Sequence, residues 1–467
     1  MKVTANNFIP AAKVALMDQD MRSSVLSATM TAFDKRSKMM YEAGHQHGEA
    51  VRSQAAQAKR RALRRLPELL EQAEANLVAN GAHVLWALTA EDANRHVMEI
   101  ALRHQARTVV KSKSMISEEI ELNQVLEDDG IEVLETDLGE YILQLNQEPP
   151  SHIVTPIIHK SEEDVRELFV RELGMPPTGD SRTMAMLSRQ VLRPKFLLGE
   201  MGITGGNFII AETGTLCIVT NEGNGRMVTT LPPVHVALVG IEKIVETLED
   251  FATLTQVLSR SATGQAMTVY THMYNGPRRA GEEDGPEHMY VILVDNGRSD
   301  IYATEYAEVL TCIRCGACMN ACPVYRSTGG HAYGWVYPGP IGAVLTPLLK
   351  GLENAKPLPH ASSLCGACKE VCPVDIDLPK MLLDLRHDLY VRGEVEGSLR
   401  LGLKLWAIAN RSPGLFEMGG RLARVFLGLI PPDRVPGPLS GWTKYRSLPS
   451  FADQPFRRQW RQRRGSQ

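Results

Sequence analysis

The sequence predicts an α/β domain that lies between helical segments and is followed by a cysteine-rich module. From residue 81 to residue 300, short runs rich in Val, Ile and Leu alternate with segments of helical composition. Such alternation is typical of a largely parallel sheet covered by helices. Seven of the eight cysteines fall between Cys312 and Cys372, so the module after the sheet has a chemistry of its own.

The length of the chain predicts several structural units. Its 467 residues exceed what one hydrophobic core usually supports. We expect a helical N-terminal arm at 1–80, the α/β domain at 81–300, the cysteine-rich module at 301–385, and a helical C-terminal extension with a basic tail at 386–467. The arm is rich in Ala, Gln, Arg and Leu and poor in strand formers, which favours helix.

The α/β region divides into short elements along the chain. The predicted strands are HVLWAL, RTVVKSKS, IEVLETD, YILQL, NFIIAETG, TLCIVTN, HVALVG and MYVILVD, and the predicted helices are AEDANRHVMEIALRHQA, SEEIELNQVLEDDG and SEEDVRELFVRELG. Residues 202–207 and 221–225 are rich in Gly and Asn and are predicted to be turns. Backbone amides in such turns can cradle an anion, although ordinary hairpin turns have the same composition. The first residues to test for ligand contact are Lys111, Lys113, Glu212 and Thr213, although a structural role is favoured for each.

Charge and hydropathy exclude several classes of protein. The 51 basic and 54 acidic residues nearly balance, which argues against a nucleic-acid-binding protein. The first residues lack the features of a secretory signal, and no apolar run reaches the roughly 18 to 20 residues that span a bilayer. We therefore expect a cytoplasmic protein with at most peripheral contact at the inner face of the membrane.

Two basic segments need an interpretation. The stretch from Lys59 to Arg65 is interpreted as a solvated helix face rather than a binding surface. The C-terminal tail carries Arg457, Arg458, Arg461, Arg463 and Arg464 around Trp460. It is either a docking segment for an acidic partner or anionic lipid, or a frayed, solvated end.

The first cysteine motif is CIRCGACMNACP, which begins at Cys312. It has the C-x2-C-x2-C-x3-C-P spacing of bacterial ferredoxins. In this pattern three thiolates bind three corners of one cubane cluster, and the fourth, here Cys322, serves the other cluster. A pair of zinc sites is the alternative, but the third closely spaced Cys and the Cys-Pro ending favour iron–sulfur clusters.

The second motif is SSLCGACKEVCP, which begins at Ser362. It aligns with the first motif position by position, except that Ser362 stands where the first motif has Cys312. Crossed ligation then assigns Cys312, Cys315, Cys318 and Cys372 to cluster one, and Cys322, Cys365 and Cys368 to cluster two. Cluster two is one thiolate short.

The missing thiolate has three solutions that the sequence leaves open. They are a three-iron cluster, a [4Fe-4S] cluster with Ser362, another oxygen or water as fourth ligand, and a distant ligand. The remaining cysteine, Cys217, lies in the apolar strand TLCIVTN and is interpreted as a core residue. His331 lies in a Gly-rich loop, where an ordinary hydrogen-bonding role is favoured. Two adjacent clusters form a path for single electrons and leave no obvious place for substrate chemistry.

Several segments together resemble the lactate utilisation protein B family. They include KSKSMISEEIELNQ, EPPSHIVTPIIHKS, AETGTLCIVTNEGNGR, CIRCGACMNACPVY, HAYGWVYPGPIGAVLTPLL and SSLCGACKEVCPVDIDLP. The resemblance covers nearly the whole chain, and the family's second motif has the same Ser-Ser-Leu-Cys form. It implies a lactate-utilisation domain similar to the CoA-transferase and sugar-phosphate-isomerase folds, then a ferredoxin-like dicluster module and a helical C-terminal extension.

The resemblance also implies a function. An electron-transfer subunit would relay electrons while a multi-protein complex with two companion subunits oxidises L-lactate to pyruvate, between electron donor and acceptor proteins. The alternative is a catalytic subunit whose α/β domain itself binds and oxidises a small 2-hydroxy acid. A redox sensor is a third possibility, which predicts oxygen-dependent partner binding instead of turnover.

Overall fold

The computed structural model describes residues 2–395, 397–428, 452 and 454–465. The chain divides into two compact units, Met1–Leu389 and Tyr390–Gln467. The strands are β1 (His83–Ala87), β2 (Thr108–Lys111), β3 (Glu132–Glu135), β4 (Met201–Gly205), β5 (Phe208–Ile210), β6 (Thr215–Thr220), β7 (Val234–Gly240), β8 (Ile244–Val245), β9 (Tyr270–Tyr274) and β10 (His288–Val294).

Helices surround these strands and make up both ends of the chain. The first half contains α1 (Phe8–Ala15), α2 (Gln19–Met40), α3 (His45–Arg64), α4 (Leu66–Ala79), α5 (Ala90–Arg103), α6 (Met115–Glu119), α7 (Leu122–Asp128), α8 (Leu138–Asn146), α9 (Glu162–Leu173), α10 (Ser181–Leu198) and α11 (Asn224–Thr230). The second half contains α12 (Leu248–Ala262), α13 (Arg298–Tyr302), α14 (Ala317–Ala321), α15 (Pro323–Thr328), α16 (Gly339–Lys350), α17 (Ala367–Glu370), α18 (Leu378–Val391), α19 (Gly397–Asn410), α20 (Pro413–Gly428) and α21 (Phe456–Gly465).

The predicted parallel sheet is confirmed. Six strands form one sheet in the order β1-β10-β7-β4-β2-β3, and every pair in it is parallel. A smaller sheet has the order β8-β5-β6-β9 and contains antiparallel pairs. In β7 the side chains alternate: Val236 and Leu238 pack in one core, and Ala237 and Val239 in the core on the other face. Because helices cover both faces, the strand reads as a continuous apolar run.

Some predicted elements were wrong. The run YILQL is part of helix α8, because the carboxylate of Asp137 caps this helix by accepting hydrogen bonds from the backbone N–H groups of Gly139 and Glu140. A five-residue apolar run does not distinguish strand from helix. The predicted helix SEEIELNQVLEDDG is interrupted at Glu121, whose φ is 57°, and therefore forms α6 and α7. Strand β9 was not predicted.

The predicted turn at 202–207 is in large part strand β4, in the middle of the main sheet. The composition was misleading because glycine is needed there for packing rather than for a turn. A Cβ atom on Gly202 would lie 1.9 Å from the carbonyl oxygen of Val228 in α11. The absence of a side chain lets that helix contact the strand directly.

Gly202→Ala is therefore expected to destabilise the protein by about 1–3 kcal/mol, the usual cost of an overpacked core. Urea unfolding followed by circular dichroism measures this as a lower midpoint. Gly223→Ala is the matched control, because its φ is −76° and no atom lies within 4 Å of an added Cβ. Equal midpoints for the two variants would contradict the packing argument.

The interpretation of the basic stretch as a solvated helix face was wrong for Lys59, whereas Arg61, Arg64 and Arg65 are exposed, as expected. Lys59 is buried, and its ammonium donates hydrogen bonds to the carbonyl oxygens of Glu242 at 2.7 Å and Ile244 at 3.2 Å. The ion pairs of its neighbours are Arg60 with Glu308 at 2.7 Å, Arg61 with Asp250 at 2.7 Å, and Arg65 with Glu246. Helix α3 thus joins the α/β region to the segment just before the cysteines.

In the second unit, the basic tail lies largely on a helix. Residues Phe456–Gly465 form α21, and Arg461 pairs with Glu417 of α20 at 3.0 Å. The predicted extension at 386–467 also includes residues 429–451, which lie outside the described residues.

Candidate metal centre

The two cysteine motifs have the same backbone conformation. The residue before the second position of the motif is left-handed in both, with φ of 59° at Arg314 and 54° at Leu364. The glycine two positions later is also left-handed, with φ of 76° at Gly316 and 86° at Gly366. Left-handed geometry favours glycine, which explains the Cys-Gly pair in each motif. The sequence repeat is therefore also a structural repeat.

The four thiols that the sequence assigns to cluster one lie around one small cavity. Cys372 reaches it from the second motif, next to Cys312, Cys315 and Cys318 of the first. The backbone N–H of Ile376 donates a hydrogen bond to the sulfur of Cys372 at 3.4 Å. The other lining side chains are mostly apolar, those of Ile153, Ile313, Ile341, Val374 and Leu378 among them.

The three thiols that the sequence assigns to cluster two also lie together. Cys368 interacts electrostatically with Cys322 and Cys365. Among the seven motif thiols, that of Cys365 is exposed and the rest are buried or half-buried. The second group therefore has a thiol at the protein surface.

The chemistry of these thiols fits an iron–sulfur cluster. Burial, with a smaller contribution from the neighbouring thiols, raises the pKa of Cys315 to about 12 and that of Cys372 to about 11. Burial likewise raises the pKa of Cys368 to about 12. Several thiolates cannot share an apolar cavity unless cations compensate their charge, and the irons of a cluster supply that compensation.

Ser362 occupies the position of Cys312 in the repeat. The backbone N–H of Arg314 donates a hydrogen bond to the sulfur of Cys312 at 3.5 Å. In the second motif the N–H of Leu364 donates in the same way to the side-chain oxygen of Ser362, at 3.1 Å. The serine hydroxyl thus replaces the first thiol in both sequence and geometry.

The N-terminal helices contact the loop that carries Cys372 of the first thiol group. The guanidinium of Arg36 donates to the carbonyl oxygen of Val371 at 2.7 Å. The guanidinium of Arg52 donates to the carbonyl oxygens of Glu370 at 2.8 Å and Cys372 at 2.9 Å. These contacts place two positive charges beside the first thiol group, and both interact electrostatically with Cys372.

Arg36→Gln is expected to lower the reduction potential of cluster one. The positive charge of Arg36 stabilises the reduced cluster, which is more negative than the oxidised one, and the variant loses this stabilisation. A shift of about 30–70 mV corresponds to one charge at roughly 10 Å in an effective dielectric of about 20–40. A potentiometric titration followed by EPR measures it. The matched control is Arg22→Gln, an exposed arginine of the same helix. An unchanged potential in the Arg36 variant would contradict this effect.

A buried ion network links the loop of the first thiol group to the α/β sheet. Arg298 binds Glu119 at 2.9 Å and Glu242 at 2.7 Å, and the hydroxyl of Tyr337 donates to Glu119 at 2.7 Å. Arg314, from that loop, lies 3.5 Å from Glu242. Glu119, Glu242 and Arg298 follow the carboxyl ends of parallel strands, so the loop is fixed to that edge of the sheet.

The same edge of the sheet contains a cavity of about 530 Å³. Its walls include residues at or after the carboxyl ends of β2, β3, β4 and β7, namely 112–114, 137–139, 205–207 and 242–243. Four of the five residues in the predicted turn at 221–225 also line it. The two Gly/Asn-rich segments singled out in the sequence therefore meet at one cavity, although the first of them is mainly a strand.

Of the four residues proposed for ligand contact, Lys113 lines this cavity. Lys111 is instead buried in ion pairs with Glu118 at 3.0 Å and Glu135 at 2.7 Å. The carboxylate of Glu212 accepts a hydrogen bond from the N–H of Leu248 at the start of α12, and the carbonyl of Thr213 accepts one from Asn80. The roles of Lys111, Glu212 and Thr213 are structural.

Sequence reasoning missed Lys243 and Arg314 as cavity residues. Both line the cavity, and Lys243 follows the strand HVALVG, where a parallel sheet commonly binds ligands. Cys217 is a buried core residue of β6, as expected, and burial raises its pKa to about 12. His331 hydrogen-bonds with the carbonyl of Pro149, an ordinary role.

Comparison with known families gives three matches along the chain. Residues 70–294 match the LUD domain, residues 308–376 match a 4Fe-4S dicluster domain, and residues 395–465 match the C-terminal domain of lactate utilisation protein B. Lactate utilization protein B of Bacillus licheniformis is 43% identical over 470 residues, which cover 99% of this chain and 98% of the relative. The chain belongs to the lactate utilisation protein B family. The resemblance seen in the sequence is thereby confirmed.

Other relatives of this lactate utilisation protein B family member agree in length. The protein of the same name from Bacillus subtilis is 42% identical and covers 98% of this chain and 96% of its own. The uncharacterized electron transport protein YkgF of Escherichia coli is 45% identical and covers 98% of this chain and 97% of its own. A crystal structure of a duf162 family protein from Deinococcus radiodurans covers 49% of this chain at 17% identity, with a TM-score of 0.28.

The described residues contain neither a site for a single metal ion nor a membrane-spanning helix. No group of three or more His, Cys, Asp or Glu side chains there is spaced to hold a single metal ion. No helix in the described part of this family member is long and apolar enough to cross a membrane.

Proposed function

We propose that this chain is an electron-transfer protein of L-lactate utilisation that relays single electrons through two adjacent [4Fe-4S] clusters. The oxidation of L-lactate to pyruvate releases two electrons and two protons, and each cluster carries one electron at a time. The observation that supports this most is the interleaving of the two motifs. Cys372 of the second motif joins three thiols of the first around one cavity.

The proposed ligands are those of crossed ligation. Cluster one is held by Cys312, Cys315, Cys318 and Cys372, and cluster two by Cys322, Cys365 and Cys368. We propose that electrons leave or enter through cluster two, because Cys365 is exposed there. Cluster one lies against Arg36, Arg52 and the sheet edge, where a soluble partner has less access.

We further propose that the hydroxyl oxygen of Ser362 is the fourth ligand of cluster two. Its support is the shared geometry of the two motifs, in which Ser362 and Cys312 accept a hydrogen bond from the equivalent backbone N–H. Ser362→Ala is expected to lose about one iron per chain and to show a three-iron EPR signal as isolated, whereas Ser362→Cys is expected to keep a four-iron cluster with an altered potential. Iron analysis and EPR measure both outcomes.

Ser363→Ala is the matched control, since Ser363 is the exposed neighbour in the same loop. If Ser362→Ala kept the iron content and EPR spectrum of the unmodified protein, Ser362 would not be the fourth ligand of cluster two. The ligand would then be water or a residue distant in the sequence.

The α/β domain is proposed to belong with the layered CoA-transferase and isomerase folds. Its parallel six-stranded sheet with helices on both faces is compatible with that grouping. The proposed partners are companion subunits of a lactate-oxidising complex, with separate donor and acceptor proteins, on the cytoplasmic side of the membrane.

A second candidate function is supported by the cavity beside Arg314 and Tyr337. In it, the α/β domain itself binds and oxidises a small 2-hydroxy acid. The two candidates differ in the activity of the isolated chain, because a relay needs its companion proteins to take electrons from lactate.

Anaerobic mixing tests the proposed function. The chain is combined with L-lactate and its companion proteins, and the visible absorption and EPR of the clusters are followed. We expect the clusters to be reduced when all proteins are present and to stay oxidised in the chain with lactate alone. No reduction in the complete mixture would contradict the relay, and reduction in the isolated chain would support the catalytic candidate.

A further inference from the structure

The cavity at the carboxyl edge of the sheet has a positively charged end next to cluster one. Lys243, Arg314 and Tyr337 line this end together with Glu242, whose charge Arg298 neutralises at 2.7 Å. Arg314 also lines the small cavity between the thiols of cluster one. Arg314 and Lys243 both interact electrostatically with Cys312. A ligand at this end of the cavity would therefore lie close to the cluster.

Among the described residues, the ammonium group of Lys243 makes no hydrogen bond or ion pair, although its charge interacts with the carboxylate of Glu242. The residue is 8% exposed and lies in the cavity wall. The adjacent carboxylate of Glu242 is bound to Arg298 at 2.7 Å and faces Arg314 at 3.5 Å. Burial of a lysine side chain is unfavourable for its charge, and an anion in the cavity would compensate that charge further.

Arg314 supplies a second cationic group. Its side chain is 8% exposed, and one of its terminal nitrogens, Nη1, is buried and has no hydrogen-bond partner in the part of the chain that the structure describes. The guanidinium is held in place by the ring of Tyr337, 4.9 Å away, and by Glu242. A fixed guanidinium next to an ammonium is a common arrangement for binding a carboxylate.

The other charged part of the cavity is already balanced. Lys113 donates a hydrogen bond to the carbonyl oxygen of Val154 at 2.6 Å and interacts with Asp137 and Glu222, which also line the cavity. An anion is expected to bind more weakly there, because Asp137 and Glu222 already compensate the charge of Lys113. The charges thus favour one orientation, with the negative group of a ligand toward the cluster.

We propose that this cavity binds a small organic monocarboxylate of the 2-hydroxy or 2-oxo acid class, with its carboxylate on Lys243 and Arg314. The choice of this class rests on the proposed function in lactate utilisation, whereas the choice of a carboxylate rests on the two cationic side chains in the cavity wall, Lys243 and Arg314. The bound anion lies beside cluster one and makes its environment more negative. Occupancy of the cavity is thereby coupled to the redox properties of that cluster.

Isothermal titration calorimetry on the anaerobic holoprotein tests the proposal, with sodium L-lactate, sodium pyruvate and sodium phosphate as separate probes at constant ionic strength. We expect saturable binding of lactate or pyruvate at one site per chain. We expect Lys243→Gln to weaken it roughly tenfold to a hundredfold, as for loss of a charge-assisted hydrogen bond. Lys195→Gln is the matched control, since Lys195 is half exposed on α10 and is not among the cavity residues.

A second measurement does not depend on any variant. Saturating L-lactate or pyruvate is expected to change the EPR spectrum of dithionite-reduced cluster one and to leave that of cluster two as it was. No saturable carboxylate binding, binding of phosphate alone, or unchanged affinity in a folded Lys243→Gln protein would each overturn the proposal. If carboxylates do not bind but the clusters are still reduced by lactate when the companion proteins are present, the inference fails and the proposed relay function stands. If carboxylates bind but the clusters are not reduced in the complete mixture, the inference stands and the proposed relay function fails.

Discussion

Arg298→Met is expected to destabilise the protein by about 3–5 kcal/mol, the usual cost of breaking a buried ion pair by removing one partner. Arg298 is fully buried and binds Glu119 and Glu242, whose carboxylates are equally buried. Methionine has a similar volume but no charge, so both carboxylates would lose their main cation. Burial alone would raise the pKa of Glu242, yet Arg298, Lys243 and Arg314 hold it at about 2.

Urea unfolding measures this loss, and the iron content of the purified variant shows whether the cluster loop remains attached to the sheet. Arg95→Met is the matched control. Arg95 is exposed on α5 and pairs with Asp92 at 2.9 Å and Glu99 at 3.3 Å, and such surface pairs contribute about 0.3–0.5 kcal/mol. If both variants unfolded at the same urea concentration, the buried network would not be an important source of stability.

Cys372→Ala is expected to remove cluster one, although this cysteine belongs to the second motif. Crossed ligation predicts a fall from about eight irons per chain to about four, with the EPR signal of cluster two retained. The physical reason is the shared cavity, in which Cys372 lies with Cys312, Cys315 and Cys318. Iron and acid-labile sulfide analysis, with EPR of the reduced protein, measures the outcome.

Comparison of three variants makes this prediction specific. Cys372→Ala is expected to resemble Cys315→Ala, from the first motif, and to differ from Cys365→Ala, from its own motif. Cys217→Ala is the control for loss of a buried thiol, and it is expected to keep all its iron. If Cys372→Ala resembled Cys365→Ala, each motif would hold its own cluster and crossed ligation would be wrong.

Most of the main sheet could be predicted because the residues of a strand such as β7 or β10 identify it without knowledge of its contacts elsewhere in the chain. Apart from His235 and Asp295 at their ends, HVALVG and MYVILVD are runs of apolar residues, as expected for strands buried on both faces. Strand β4 has no such signal. Its Gly202 is explained by the contact with Val228, 26 positions along the chain in α11, and a contact of that kind is not visible in local composition.

The partners of charged residues were the least predictable feature. The basic stretch in α3 seemed wholly solvated because its partners are distant in sequence: Arg61 pairs with Asp250, and Lys59 bonds to the carbonyl of Glu242. The same limit applied to the cavity. Lys243 was overlooked since a lone lysine after a strand becomes informative only when its place in the cavity wall is known.

The cysteine motifs are the opposite case. Their short spacing fixes the local geometry, and the structure repeats it in both halves, down to the left-handed residues Arg314 and Leu364. The crossed grouping of thiols follows from the ferredoxin pattern. The equivalence of Ser362 to Cys312 was also visible in the alignment of the two motifs, whereas the hydrogen bond from the N–H of Leu364 required the structure.

The most direct measurement of the central claim is the iron and acid-labile sulfide content of anaerobically purified protein, with low-temperature EPR before and after dithionite reduction. A two-cluster relay predicts about eight irons and eight sulfides per chain, and a reduced spectrum in which two neighbouring [4Fe-4S] centres interact magnetically. Zinc without sulfide, or a single isolated cluster, would contradict it.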